Sequence, residues 1–230
     1  MTRGENGVKR ELEDNLAIVR GRHHSVADPL KYIMVDPNAI THHCTYHMRT
    51  RRSGGQKLDD WGKITDGVWD RERPRKLQTH LLTQQLAEHF IEGRPWEQCV
   101  VWERKIGKIR EKGRIDGCRN KRELMERYQR LDRIYTEIRD QRHLSAADER
   151  GAPFTDDLFV SIARDGSFLF GHGGSHRLAI AQLLNLPSIP VRVLMRHSEW
   201  QRIRESFADG GHVDWTGHPD LADLLPRTGP

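Results

Sequence analysis

Apolar positions along this chain change their period from segment to segment, and those changes mark out its elements. Leu124, Tyr128, Leu131, Tyr135 and Ile138 recur in steps of 4, 3, 4 and 3 residues, which predicts a charged helix with one apolar stripe turned to a core. Leu82, Leu86 and Phe90 predict a second helix within Lys76–Ile91, ended by Gly93-Arg94-Pro95. Tyr32-Ile33-Met34-Val35 reads as a short buried strand closed by the turn residues Asp36-Pro37-Asn38. Leu158 to Ala163 alternates as a strand, Arg164-Asp165-Gly166-Ser167 turns, and Phe168-Leu169-Phe170 returns, a hairpin marked by its Asp-Gly. The helical run LAIAQLLNL then stops at Asn185-Leu186-Pro187, and Ile189 to Met195 forms another strand. Strand, strand, helix, strand predicts an α+β fold, a small mixed sheet with flanking helices.

Other stretches lack a sustained period. Residues 1–28 are polar and basic, with a short helix around Leu12 to Val19, and read as a loosely held arm. Cys99 to Val101 reads as a short strand, and Lys105 to Gly117 fits neither period. Residues 41–75 contain the adjacent Gly54 and Gly55 and read as a long loop, which in a compact domain is functional or disordered.

Composition narrows the class. With 230 residues and 36% hydrophobic content, the chain supports one good core carrying a helical insertion. No apolar run reaches the roughly 18 residues of a membrane span, and the N-terminus has no signal-type apolar core, so the reading is cytoplasmic with no membrane partner. Cys44, Cys99 and Cys118 are odd in number and sparse, which argues against a disulfide framework. The net charge of +5 is concentrated: Glu103–Arg142 holds fourteen Lys or Arg against eight Asp or Glu. That segment is either a solvated face or a contact for a polyanion such as nucleic acid.

The strongest chemical signal lies between the returning strand and the helix, in Phe170-Gly171-His172-Gly173-Gly174-Ser175-His176-Arg177. A glycine-rich turn that empties into a helix leaves backbone N–H groups at the positive end of the helix dipole, a setting for phosphate. Arg177 adds a two-pronged donor, and His176 either contacts the same anion or shapes the loop.

The run from Asp157 to His197 resembles the ParB/sulfiredoxin superfamily, in which a strand leads through Gly-x-x-Arg into a helix and then a strand of the type Ile-Pro-Val. Gly174-Ser175-His176-Arg177 corresponds to that element, and Tyr32 to Ile40 to the first strand. The resemblance implies a domain over residues 29–200, interrupted by an insertion at about 41–156 and followed by a tail or flap over 201–230. It also implies nucleotide binding through the loop. Ser175 stands where sulfiredoxins carry their cysteine, so sulfinic acid repair is not expected. Gly173 stands where the related free-serine kinases carry an acid, and the 33 residues after His197 are too few for the DNA-binding and dimerisation parts of a chromosome-partition protein.

The resulting expectation is a nucleoside di- or triphosphate with Mg²⁺, used in phosphoryl transfer to a small-molecule acceptor or in hydrolysis. Gly173, Gly174, Ser175, His176 and Arg177 would cradle the phosphates, with Arg196 and His197 at the end of the last strand. Asp60, Asp66, Asp70 and His176 are the candidates for catalysis, His176 with Arg177 neutralising developing charge and Asp66 and Asp70 also holding metal. Near them Trp61 and Trp69 either cover a sugar or base or anchor the loop, and the acids either serve chemistry or balance Arg49, Arg51 and Arg52. His42, His43, Cys44 and His47 have ligand types suited to zinc, without a second pair at a finger-like spacing. A rival expectation is a DNA- or RNA-binding or processing protein whose basic insertion, 104–142, follows a phosphate backbone.

Overall fold

The structure, a computed structural model, describes residues 3–44, 58, 60–71, 75–77, 81–211, 214 and 217–225. In chain order its elements are α1 (Arg3–Arg20), β1 (Tyr32–Val35), β2 (His42–His43), β3 (Lys63–Thr65), β4 (Arg75–Lys76), α2 (Leu81–Phe90), α3 (Trp102–Lys112), α4 (Lys121–Gln141), β5 (Phe159–Ile162), β6 (Phe168–His172), α5 (Ser175–Leu183), β7 (Ile189–His197) and α6 (Ser198–Ala208). The fold is α+β with one mixed sheet, as the periodicity predicts. Where one core with an insertion was expected, the chain forms two compact units: Met1–Arg75, Ser145–Gly174 and Ser188–Pro230 make one, and Lys76–Leu144 with Ser175–Pro187 make the other. The insertion is therefore narrower than 41–156, and it is completed by a helix from the C-terminal third.

In the first unit β7 is the organising strand, buried at all nine positions. Its sequence, IPVRVLMRH, is apolar at Ile189, Pro190, Val191, Val193, Leu194 and Met195, the near-continuous run of a strand covered on both sides, and is interrupted by Arg192 and Arg196. β5 runs parallel to it over Arg192 to Arg196. β1 pairs antiparallel from Ile189 to Arg192 and β3 parallel from Met195 to His197, so these two lie end to end along its other edge. β6 returns antiparallel to β5, and β2 adds parallel to β6. The long loop read over 41–75 thus contributes strands to the sheet.

Arg192 and Arg196 are only 6% exposed in this apolar setting, so each needs a carboxylate. Arg192 Nε donates to Asp157 Oδ2 at 2.7 Å, and Arg196 Nε donates to Asp220 Oδ2 at 2.9 Å. Asp220 is also held by Trp200 Nε1 at 2.9 Å and by Arg204 at 3.3 Å. These contacts fix the 3-10 stretch Pro219–Leu224, so the part of the expected tail that is described is built into the unit. Residues 212, 213, 215 and 216 of the expected flap lie outside the described residues. The expected loose arm is likewise a packed helix: Leu12 joins Leu58, Trp61, Phe159 and Leu194 in one buried cluster, and Asn15 Nδ2 donates to the Trp61 carbonyl at 2.9 Å.

The second unit is helical. Leu124, Tyr128, Leu131 and Ile138 of α4 are buried as their spacing predicts, and Tyr135 stacks on Phe90 at 3.8 Å. Trp96 stacks on Tyr128 at 4.5 Å and on His89 at 3.8 Å. Cys99 to Val101 forms a turn where a strand was expected, and Lys105 to Gly117, which fits neither period, is α3 as far as Lys112 and a turn beyond it. Asn120 and Glu123 start α4 with a reciprocal cap, Glu123 N donating to Asn120 Oδ1 and Asn120 Nδ2 to Glu123 Oε1, both at 2.9 Å.

His218 couples this frame to pH. Its Nδ1 accepts from Asp220 N at 3.1 Å and its Nε2 donates to the Gly166 carbonyl at 2.9 Å, a pair that only the neutral ring satisfies. Burial pushes its pKa below the ordinary value of 6.5. A depressed histidine pKa gives stability that is complete above the ordinary value and lost as pH falls below it. Thermal melts between pH 7.5 and 5.5 are expected to show a falling midpoint that is flatter in His218→Gln. An unchanged slope in that variant contradicts the assignment.

Candidate functional site

The glycine loop ends the Ser145–Gly174 segment of the first unit, and the Ser175–Pro187 segment of the second follows it in the chain. Gly173 and Gly174 both adopt left-handed backbone conformations, with φ of 67° and 56°, and α5 begins at the next residue. Gly174 has no side chain with which to cap the helix, and the first turn of α5 holds no acidic residue to offset the dipole. Residues 171–177 are all partly exposed, so the backbone at the head of α5 is within reach of a solute.

Asp157 limits the loop from the first unit. A Cβ on Gly173 would lie 1.9 Å from the Asp157 carbonyl oxygen, so no side chain fits there. The Asp157 carboxylate accepts from Arg192 Nε through Oδ2 and from Ala147 N through Oδ1 at 2.8 Å. Tyr32 completes the group: its hydroxyl accepts from Arg192 Nη2 at 2.8 Å and lies 2.7 Å from Asp148 Oδ1 and 2.9 Å from Asp157 Oδ2. One hydroxyl proton serves one carboxylate at a time, and Asp157 already has two donors, so Asp148 is the better recipient. The Tyr32 hydrogen bond holds the exposed Asp148 carboxyl below its ordinary value. Burial, together with the two carboxylates, pushes the Tyr32 hydroxyl well up.

Within the second unit, α5 is anchored at its other end. Arg142 Nη1 donates to the Leu184 carbonyl at 2.8 Å and Nη2 to that of Asn185 at 3.3 Å, meeting the negative end of the helix with a cation. Asp116 sits in a two-residue Asp-Gly turn closed by reciprocal backbone bonds between Ile115 and Cys118, at φ 49°. Its carboxylate accepts from Lys105 Nζ at 2.9 Å. Partial burial pushes the Asp116 carboxyl up, but the hydrogen bond and charge of Lys105 and the charges of Arg127 and His176 hold it below its ordinary value. Lys105 is thus the direct partner of this carboxylate, and Arg127 and His176 act on it through charge alone.

The other expected site residues have partners elsewhere. Asp70, 2% exposed at its side chain, is clamped by Arg164, whose Nε and Nη2 donate to its two oxygens at 2.8 and 2.9 Å. Burial raises the Asp70 carboxyl, yet the Arg164 hydrogen bonds hold it below its ordinary value. Asp66 accepts from the Ser198 hydroxyl, and Asp60 pairs with Lys63 at 2.9 Å. His197 caps α6, accepting from Glu199 N at 3.1 Å while its Nε2 donates to the Gly67 carbonyl at 2.9 Å. Arg196 lines a cavity of about 400 Å³ with Lys31, Tyr32, Met34, Val193 and Asp220. Trp61 and Trp69 are buried in the core, which favours anchoring over covering a ligand.

These positions do not fit Mg²⁺. Asp70 is occupied by a bidentate arginine and Asp66 by a hydroxyl, and among the described residues no three His, Cys, Asp or Glu converge on a point. Of the zinc-type group, Cys44 is buried beside Trp69, His43 stacks edge-on against Phe170, and His47 lies outside the described residues with Arg49, Arg51 and Arg52.

Sequence reading missed Tyr32, Asp148, Asp157 and Arg192 in the first unit and Lys105, Asp116 and Arg127 in the second. One signal was present: Arg192 interrupts an apolar strand and so requires a buried partner. Compared with family models, with curated proteins and with solved structures, the chain matches none.

Gly173 and Gly210 separate backbone conformation from close approach. Both have positive φ, but a Cβ on Gly210 meets nothing within 4 Å. Gly210→Ala is expected to cost roughly 1–2 kcal/mol in urea denaturation, the penalty of the left-handed conformation alone. Gly173→Ala is expected to cost clearly more, and equal losses would contradict the close approach to Asp157.

Proposed function

We propose that this chain binds the phosphate groups of a nucleoside di- or triphosphate at the loop Gly173-Gly174-Ser175-His176-Arg177. The observation that carries this reading is the consecutive pair of left-handed glycines leading directly into α5, whose first turn is Ser-His-Arg without an acid. In that setting the backbone N–H groups of the first turn supply donors, the dipole supplies positive potential, and the Arg177 guanidinium supplies a planar fork that matches a phosphoryl edge. Binding phosphate there costs the protein little reorganisation, because Gly173 and Gly174 already hold the left-handed conformations that lead into the helix and Arg142 holds the far end of α5.

The proposal is for binding. Phosphoryl transfer needs a base within hydrogen-bond reach of the attacking hydroxyl and a metal or cation across the phosphates. Asp60, Asp66 and Asp70 are engaged by Lys63, Ser198 and Arg164, so no step is assigned to them. Asp148, exposed and adjoining the pair formed by Tyr32 and Asp157, is the carboxylate best suited to meet a solute near Gly173.

Thermal shifts with ADP, ATP, pyrophosphate and adenosine test the reading. A phosphate site predicts stabilisation by the first three and none by adenosine, since a ligand bound only to the native state raises the midpoint. Arg177→Ala is expected to weaken binding at least about tenfold, or ~1.4 kcal/mol, while Arg177→Lys recovers part of it and both variants keep the wild-type circular dichroism. Equal shifts with adenosine, or undiminished binding by a folded Arg177→Ala protein, would overturn it.

A further inference from the structure

A second basic feature of the helical unit is independent of the loop. Residues 104–122, comprising α3 from its third residue, the turn after it and the start of α4, hold nine Lys or Arg against two Asp or Glu. Their net charge of +7 exceeds that of the whole chain, +5. Lys105 is paired with Asp116, Arg122 lies 3.8 Å from Glu126, and Lys121 lies over Trp102. The side chains of the other six, Arg104, Lys108, Arg110, Lys112, Arg114 and Arg119, make no ion pair or hydrogen bond among the described residues. Five of these six are exposed and Lys108 is partly so.

Exposed cations that make no ion pair among the described residues also occur in the first unit, Arg10, Arg22 and Lys31 for example, but there they are interspersed with Glu13, Asp14 and Asp28. In the first unit Arg164, Arg192, Arg196 and Arg204 all face a carboxylate at 3.3 Å or less. Six cations that make no ion pair among the described residues, with Glu111 the one unpaired acid of that stretch, leave a net excess of like charge, and an external polyanion relieves the cost of their repulsion. Arg104, Lys108 and Lys112 stand four residues apart on α3, so they form one ladder with a spacing of about 6 Å along the helix. A ladder of point charges suits a partner whose own charge repeats at a regular interval.

We propose that this corner of the helical unit binds the phosphodiester backbone of nucleic acid without reading its bases. Two observations select that partner. The apolar face of α3 is committed, with Trp102 2% and Ile106 9% exposed, and no exposed large apolar side chain lies between 102 and 122, so nothing is available to enter a lipid interface. No exposed aromatic side chain stands among the six cations, and Trp102 is buried, so the surface has no platform for stacking bases. What remains is phosphate contact, which is salt-dependent and indifferent to sequence.

The test is fluorescence anisotropy with labelled 20-residue oligonucleotides, single- and double-stranded, of two unrelated sequences, in about 50 to 300 mM KCl. Six phosphate contacts predict a slope of log K against log salt of about −5 for duplex and a loss of roughly a thousandfold between 50 and 200 mM salt. The two sequences should bind alike. Lys108→Gln/Lys112→Gln keeps helix-forming residues and should reduce the slope by about 2, whereas Arg10→Gln/Arg22→Gln in the other unit should leave it unchanged. Absence of saturable binding, an unaltered slope in the Lys108/Lys112 variant, or equally tight binding to polyglutamate or to phosphatidylserine vesicles would each overturn the proposal.

Discussion

The arrangement around the glycine loop depends on a charge that must not be left alone. Arg192 lies inside a strand buried along its whole length, and breaking a buried ion pair costs on the order of 3–5 kcal/mol. It therefore holds Asp157 at 2.7 Å, and with it the segment that leads into β5. The Asp157 carbonyl then excludes any side chain from residue 173, which has to be glycine in a left-handed conformation. From that point the chain turns directly into α5. A buried electrostatic requirement in β7 is in this way transmitted through one backbone contact to the conformation of residue 173.

The same economy of charge separates the two units. In the sheet-bearing unit Arg164, Arg192 and Arg196 are structural: they pin Asp70, Asp157 and Asp220 and so tie the loop after β3, the entry to β5 and the stretch after α6 to the sheet. In the helical unit six cations of α3, the turn after it and the approach to α4 make no ion pair among the described residues, while Arg142 serves the end of α5 and Lys105 the Asp-Gly turn. Basic residues of equal sequence prominence thus have opposite roles, decided by whether a carboxylate arrives beside them. The two proposals rest on different parts of this pattern, one on backbone donors and one on side-chain charge.

Local signals were legible in the sequence, and long-range pairings were not. The Asp-Gly hairpin, the α4 stripe and the start of α5 follow from spacing and turn chemistry, and the structure has all three. The N-terminal helix was underestimated because its apolar residues are diluted by charge; Leu12 is buried only through Leu58, Trp61 and Phe159, which are far away in sequence. The carboxylates of 60–70 looked available for chemistry because their partners could not be seen: Ser198 lies 132 residues from Asp66 and Arg164 lies 94 residues from Asp70. Tyr32, Asp148 and Arg192 were passed over for the same reason, since each is ordinary alone and becomes notable when the sheet aligns them.

The claim that phosphate binds at the head of α5 is tested most directly by amide NMR of the ¹⁵N-labelled protein during titration with ADP or pyrophosphate. The account predicts saturable shifts that are largest for the backbone N–H groups of Gly174, Ser175, His176 and Arg177, with those of β1 and α6 nearly unmoved. Saturable binding whose largest shifts fall outside the loop, or no perturbation of these four amides at millimolar ligand, would contradict it.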